Sequence, residues 1–247
     1  MSNQPVISVL TCERTAGDYV AATLQQINRQ GGEPCERLLF VDGLPDVAER
    51  VRRRLSDVAA LGAWDVISLG GKRGSTEATR RVFVDVAKRG RDLIFFEDDL
   101  LLCRHAVTRM LELVIPASVS LVSFFDMKEV SPGAATGLYR RPPTGRDGRG
   151  LWGNQCFRLP AEVLRWLIAQ DWSSTSHGSS LMASDVVLGE LLARHPTRPR
   201  IAYHIPCLVE HVGHGSACFP GLELARWRRA TNFQGAEFDA RQLPPMP

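Results

Sequence analysis

The sequence predicts an α/β fold, with a mostly parallel central sheet carrying helices on both faces. Three observations point there: short, continuously apolar runs alternate with longer helical patterns, the connections are short, and two of the apolar runs end on acids. Continuous apolar strands belong to sheets covered on both sides, and this rhythm requires parallel crossovers.

The first strand is 5–11, "PVISVLT", and the helix at 17–32 is stopped by glycines. A second strand at 37–43 ends on Asp42, a helix spans 44–62, and "WDVISL" (64–69) is the third strand. The helix at 74–90 offers Ser75 or Thr76 as N-cap and has glycine at its end. "DLIFFEDD" (92–99) is the fourth strand, followed by a helix at 104–116 and a strand at 118–125. Residues 131–150 form the longest non-periodic stretch, rich in Gly, Pro and Arg, and such a length in a compact domain suits a flap over a site. A helix at 182–196 has Ser184 as N-cap and Asp185 in its first turn, and the tail at 241–247 is expected to be disordered.

Composition narrows the function. At 247 residues and 44% hydrophobic content the chain can bury a full core. Its six cysteines lack CxxC pairing, which argues against zinc knuckles and disulfide scaffolds and points to a reducing cytoplasm. No apolar run is long enough to span a bilayer. The net charge of +3 argues against strong nonspecific nucleic-acid binding, although clustered arginines favour anionic ligands. The oligomeric state is not legible.

In open parallel sheets, ligands bind beyond the carboxyl ends of the strands. That edge gathers Thr11 to Arg14, Asp42, Gly70 to Gly74 and Glu97 to Asp99. Three adjacent carboxylates raise one another's pKa unless a cation neutralises them, and hard oxygen ligands suit Mg²⁺ or Mn²⁺. The alternative is that Asp98 and Asp99 cap the next helix or face water.

"LIFFEDDLLL" (93–102) resembles the metal-binding DxD element of nucleotide-sugar glycosyltransferases of the GT-A, Rossmann-like fold, in the Glu-Asp-Asp form of the N-acetylglucosaminyltransferase type. "ISVLTCERTAGDYVAATL", "LLFVDG" and "GGKRGSTEATRRVF" resemble, in the family's order, its nucleobase and ribose loop, its uridine-contacting acid and its glycine- and arginine-bearing segment. The resemblance implies a hexosyltransferase that moves sugar from a UDP-sugar to a saccharide hydroxyl. It would form one domain over 1–240, with a nucleotide-sugar half (1–125) and an acceptor half (126–240). Asp99 would be the direct metal ligand, Glu97 would act through water or sugar hydroxyls, and Asp98 would orient ribose or sugar. Thr11 and Asp42 fall on the nucleoside elements. Arg14, Lys72, Arg73, Arg80 and Arg81 are candidates for phosphate charge, and helical spacing lets only one of Arg80 and Arg81 face the crevice squarely.

Trp152, Gly153 and Asn154 match a glycine-containing turn beneath the donor sugar, although Trp152 is equally an ordinary core residue. Asp185 takes the place of the base of inverting members, against a plain role at a helix start. "LVEHVGHGS" resembles a late "HxGxxS" stretch and points to His211 as a metal ligand, with His214 second and His204 packed in a strand; Gly213, Gly215 and Ser216 could offer N–H groups to phosphate. Two other readings share parts of this pattern. A sugar-phosphate nucleotidyltransferase would need a glycine-rich basic signature that "LTCERTAGD" lacks, and a DNA glycosyltransferase would act on a hydroxylated base, with the basic loop at 140–149 on the backbone.

Overall fold

Strand and helix alternate through the first half as the apolar patterning requires: β1 (Val6–Cys12), α1 (Tyr19–Gln30), β2 (Arg37–Asp42), α2 (Pro45–Ser56), β3 (Asp65–Ser68), α3 (Ser75–Ala87) and β4 (Leu93–Glu97). The computed structural model describes residues 4–12, 19–30, 35–56, 63–126, 136–141, 151, 153–174, 184–213, 229–230 and 232–244. Beyond β4 come β5 (Leu100–Leu102), α4 (Ala106–Glu112), β6 (Val119–Ser123), β7 (Gly137–Arg141), β8 (Cys156–Leu159), α5 (Ala161–Ile168), α6 (Ser184–Ala193), β9 (Arg200–Ile205) and β10 (Val209–His211).

Among the described residues eight strands form one sheet in the order β3-β2-β1-β4-β8-β6-β9-β7, and β5 pairs with β10 in a separate ribbon. Six of the eight run the same way; β8 and β7 are antiparallel to their neighbours. The chain winds outward from β1 to β3 and then returns to β4 on the other side of β1, so the β1/β4 junction is a topological switch point. Such a junction opens a crevice at the carboxyl ends of its strands.

Alternate strand residues feed two cores. Ile7, Val9, Leu39, Val41, Ile94 and Phe96 pack with α1, α2 and α4 on one face. Val6, Leu38, Phe40, Leu93 and Phe95 pack with α3, α5 and α6 on the other, where the Phe95 and Phe157 rings stack at 4.8 Å. This two-sided burial is why the strands read as unbroken apolar runs.

Several expectations are corrected. The stretch at 131–150 is not non-periodic throughout, because Gly137–Arg141 is an edge strand pairing with β9; 127–135 and 142–150 lie outside the described residues. Neither Ser75 nor Thr76 caps α3: its N-cap is Gly74, at φ 80°. Ser184 is the first residue of α6, and its hydroxyl meets those of Ser75 at 2.5 Å and the Asn154 amide at 3.0 Å instead of capping. The start of the tail is ordered: Ala240–Gln242 is a 3-10 turn, and Arg109 donates to the Pro244 carbonyl. Packing supplies partners that local patterning cannot show.

Candidate metal centre and nucleotide crevice

The acids at the end of β4 do not face bulk water. Asp98 is 3% exposed and Asp99 2%, because the chain bends at these two residues and re-enters the fold as β5. Helix α1 holds the bend. The buried Thr23 hydroxyl donates to the Asp98 carbonyl at 2.8 Å and accepts from the Leu100 amide at 3.2 Å. Gln26 donates to the Leu100 carbonyl and accepts from the Leu102 amide. Sequence reasoning missed both residues. The available signal was Thr23, a polar residue on the buried face Val20, Thr23, Leu24, Ile27.

The ribbon then determines which residues meet. β10 runs antiparallel to β5 with His211 opposite Leu100, and the Val212 amide donates to the Asp99 carbonyl at 2.9 Å. His211 Nε2 thereby lies 3.1 Å from Asp99 Oδ2. Glu97, Asp99 and His211 each offer one ligand atom, and the three atoms lie within 4.8 Å of one another. Asp98 turns elsewhere, accepting from the Thr11 hydroxyl at 2.5 Å across the β1/β4 junction.

The group has room because residue 213 is glycine: a Cβ there would sit 2.2 Å from Asp99 Oδ2 and 3.2 Å from His211 Cε1. Two carboxylates and an imidazole in such a cradle can hold a divalent cation, with Mn²⁺ tolerating the nitrogen better than Mg²⁺. Beside His211, Glu210 accepts from the amides of His211 (3.0 Å) and Ala230 (2.8 Å); burial raises its pKa, and those two amides partly offset the rise.

At the neighbouring strand ends, Asp42 accepts from the backbone amides of Arg73 at 2.6 Å and Gly74 at 3.2 Å, which ties the loop before α3 to the end of β2. Burial raises the Asp42 pKa, against the lowering by these amides and by the charges of Lys72 and Arg73. A cavity of about 350 Å³ lies here, lined by Cys12, Asp42, Gly43, Leu44, Gly71 and Lys72, among others.

The other expected residues divide. Arg80 and Arg81 both pair with Glu77 on their own helix, at 3.5 and 3.1 Å. Gly153, at φ 76°, donates its amide to Asp185 Oδ2 at 2.9 Å, and Asn154 bonds to Ser184, so this turn is tied to the start of α6. The same turn reaches the acidic strand, because the Glu97 amide donates to the Gln155 carbonyl at 2.8 Å. His204 is buried in β9, as its alternation implied. Arg14, Trp152, His214, Gly215 and Ser216 lie outside the described residues.

A sheet with this switch point, an acidic bend after β4 and a late histidine returning to it can be set against solved structures. The chain superposes on one described as GalNAc-T7 with UDP, GalNAc and Mn²⁺ at a TM-score of 0.57 and 11% identity, over 86% of this chain and 45% of that one. The fold is GT-A. The chain thus spans less than half the length of that neighbour. Weaker overlaps, at TM-scores of 0.47 and 0.42, are with a mannosyltransferase from Pyrobaculum calidifontis in complex with GDP-Man and Mn²⁺ (13% identity, 81% of this chain and 57% of that one) and with 4-diphosphocytidyl-2C-methyl-D-erythritol synthase (14% identity, 73% and 84%). At those scores neither bears on the chemistry. No protein-family model matches the sequence, and no curated protein matches it significantly. Among the described residues no helix is long and apolar enough to cross a membrane.

Proposed function

We propose that the chain is a metal-dependent glycosyltransferase that moves a sugar from UDP to an acceptor hydroxyl. The observation that carries this is the convergence of Glu97, Asp99 and His211 at the switch-point crevice, from strands more than a hundred residues apart in sequence. The fold shared with a structure containing UDP and Mn²⁺ supports it.

The residues present fit a divalent ion by donor type, by burial and by the glycine cradle at 213. When bound, such an ion supplies the positive charge that makes a nucleoside diphosphate a competent leaving group. Asp99 and His211 would hold it directly, with Glu97 completing the set directly, through water or through sugar hydroxyls in the Glu-Asp-Asp manner of N-acetylglucosaminyltransferases. Asp98, fixed by Thr11, would orient ribose or sugar. The cavity beside Asp42 and Lys72 has the place and size for the nucleoside. Lys72, Arg73 and Arg14 would meet phosphate, and Arg80 or Arg81 would do so on leaving Glu77.

Trp152, Gly153 and Asn154 would lie under the donor sugar. In the inverting reaction the acceptor oxygen bonds to the anomeric carbon while its proton passes to the Asp185 carboxylate. The bond from that carbon to the diphosphate oxygen breaks, and its electron pair leaves with UDP. Asp185 also accepts from Gly153, so one carboxylate would both set the sugar turn and take the proton. One domain over 1–240 and a cytoplasmic setting complete the reading.

Calorimetry with UDP, GDP and CDP, each with and without Mn²⁺, tests this. UDP binding that requires the metal and weakens about tenfold or more in Asp99→Ala is expected, a change of about 1.4 kcal/mol. If no nucleoside diphosphate binds with either Mn²⁺ or Mg²⁺, the assignment is wrong.

A further inference from the structure

Helices α3 and α6 start side by side. α3 leaves the loop after β3, and α6 begins against the turn that leads into β8, so both N-termini stand at the crevice edge of the sheet. Val82, Phe83 and Val86 of α3 share one core with Val187, Leu188 and Leu191 of α6. Helix N-termini carry partial positive charge, and two of them side by side repel. Acids offset this: Asp42 on the amides of Arg73 and Gly74, with Glu77 and Asp185 in the two first turns. Charge alone does not fix where one end sits against the other.

The joint is a pair of hydroxyls. Ser75 Oγ, in the first residue of α3, lies 2.5 Å from Ser184 Oγ, in the first residue of α6. Ser184 is buried and also accepts from the Asn154 amide at 3.0 Å. Asp185, the next residue, accepts from the Gly153 amide through Oδ2 and from the Val186 amide through Oδ1, each at 2.9 Å. The Gln155 carbonyl in turn takes the Glu97 amide. A series of hydrogen bonds and single peptide steps thus runs from Asp42, which lines the nucleotide cavity, through Gly74 to Ser75, across to Ser184 and Asp185, and on through residues 153–155 to the acidic strand. Ser75 is the crossing between the two helices. It is half-exposed, so its hydroxyl can be removed without emptying the core.

We propose that Ser75 is a positioning residue: through Ser184 it sets where the Asp185 carboxylate and the Gly153 turn sit relative to the loop that Asp42 anchors beside the nucleotide cavity. That role rests on the transferase reading, in which Asp185 takes the acceptor proton; the effect of Ser75 on the bond between Asp185 and Gly153 does not. A general base has to lie within hydrogen-bond reach of the hydroxyl it serves, and misplacement by about 1 Å costs on the order of 10²-fold in rate. Ser75 therefore bears on the chemistry without touching substrate.

Amide exchange at Gly153, followed by NMR, reads the Asp185 bond directly. In Ser75→Ala it is expected to quicken about fivefold or more while the amides of α5 keep their rates, and Ser75→Thr, which retains a hydroxyl, should restore it. In a Ser184→Ala background Ser75→Ala should add nothing, because the joint is already broken. UDP with Mn²⁺ should slow Gly153 exchange in the wild-type chain and not in Ser75→Ala, whose metal-dependent UDP affinity stays within about twofold of wild type.

Four results would overturn the assignment: Gly153 exchange unchanged in Ser75→Ala, quickening shared with the amides of α5, the same quickening with and without the Ser184 hydroxyl, or bound UDP and Mn²⁺ acting equally on Gly153 exchange in the wild-type and Ser75→Ala chains. Failure of the transferase reading shows separately, as absent UDP binding in the wild-type chain. The exchange rates without ligand then still decide whether Ser75 holds Asp185 in place.

Discussion

Gly213 keeps open the space in which the acidic group and the histidine meet. A methyl group there would approach Asp99 Oδ2 to 2.2 Å, far inside contact distance, and the carboxylate would have to swing away from His211. Gly213→Ala should therefore lower Mn²⁺ affinity about tenfold or more while leaving the far-UV circular dichroism spectrum unchanged. Titration calorimetry of the metal alone decides it, and undiminished affinity would show that the pocket is not built around these atoms. At this scale the sequence was partly legible. The run of three acids after an apolar strand stood out, and so did the late histidine. That Asp98 would leave the other two for Thr11 was not visible, because it depends on which way the chain bends after Glu97.

Helix α1 acts on the site as an element. Through Thr23 and Gln26 it satisfies the amides and carbonyls that the bend between β4 and β5 withdraws from the sheet. Removing the Thr23 hydroxyl strands buried backbone groups, which costs about 1–3 kcal/mol. Thr23→Val should lower the urea midpoint and also weaken Mn²⁺ binding, and Thr23→Ser should restore both. Loss of stability with metal affinity intact would mean that other bonds set the bend. Thr23 reads in sequence as an ordinary polar residue on an apolar helix face, and its function appears only when that face is docked.

For the whole molecule, acid sensitivity is foreseeable from the buried His204. Its Nδ1 lies 2.7 Å from the Pro206 carbonyl, and burial, aided by the nearby Arg109 charge, lowers its pKa to about 4 from 6.5, against the raising effect of that carbonyl. Between these values the unfolded chain binds a proton that the folded chain refuses. Stability from this site is therefore complete above the unfolded pKa and is lost as pH falls toward 4, by up to about 3 kcal/mol. Urea unfolding at pH 7 and 4.5 should show the loss, and His204→Gln should flatten it; equal pH dependence in the two proteins would assign the sensitivity elsewhere. The sequence by itself determined the fold class, the first four strands and their helices, and the edge where charge collects. Apolar periodicity is local and survives without its neighbours. Only the tertiary structure decided that β8 and β7 join the sheet antiparallel, that β5 leaves it, and that His211 arrives opposite Leu100. Those outcomes depend on pairings between segments tens to more than a hundred residues apart, and a strand's own residues do not encode its partner or its register.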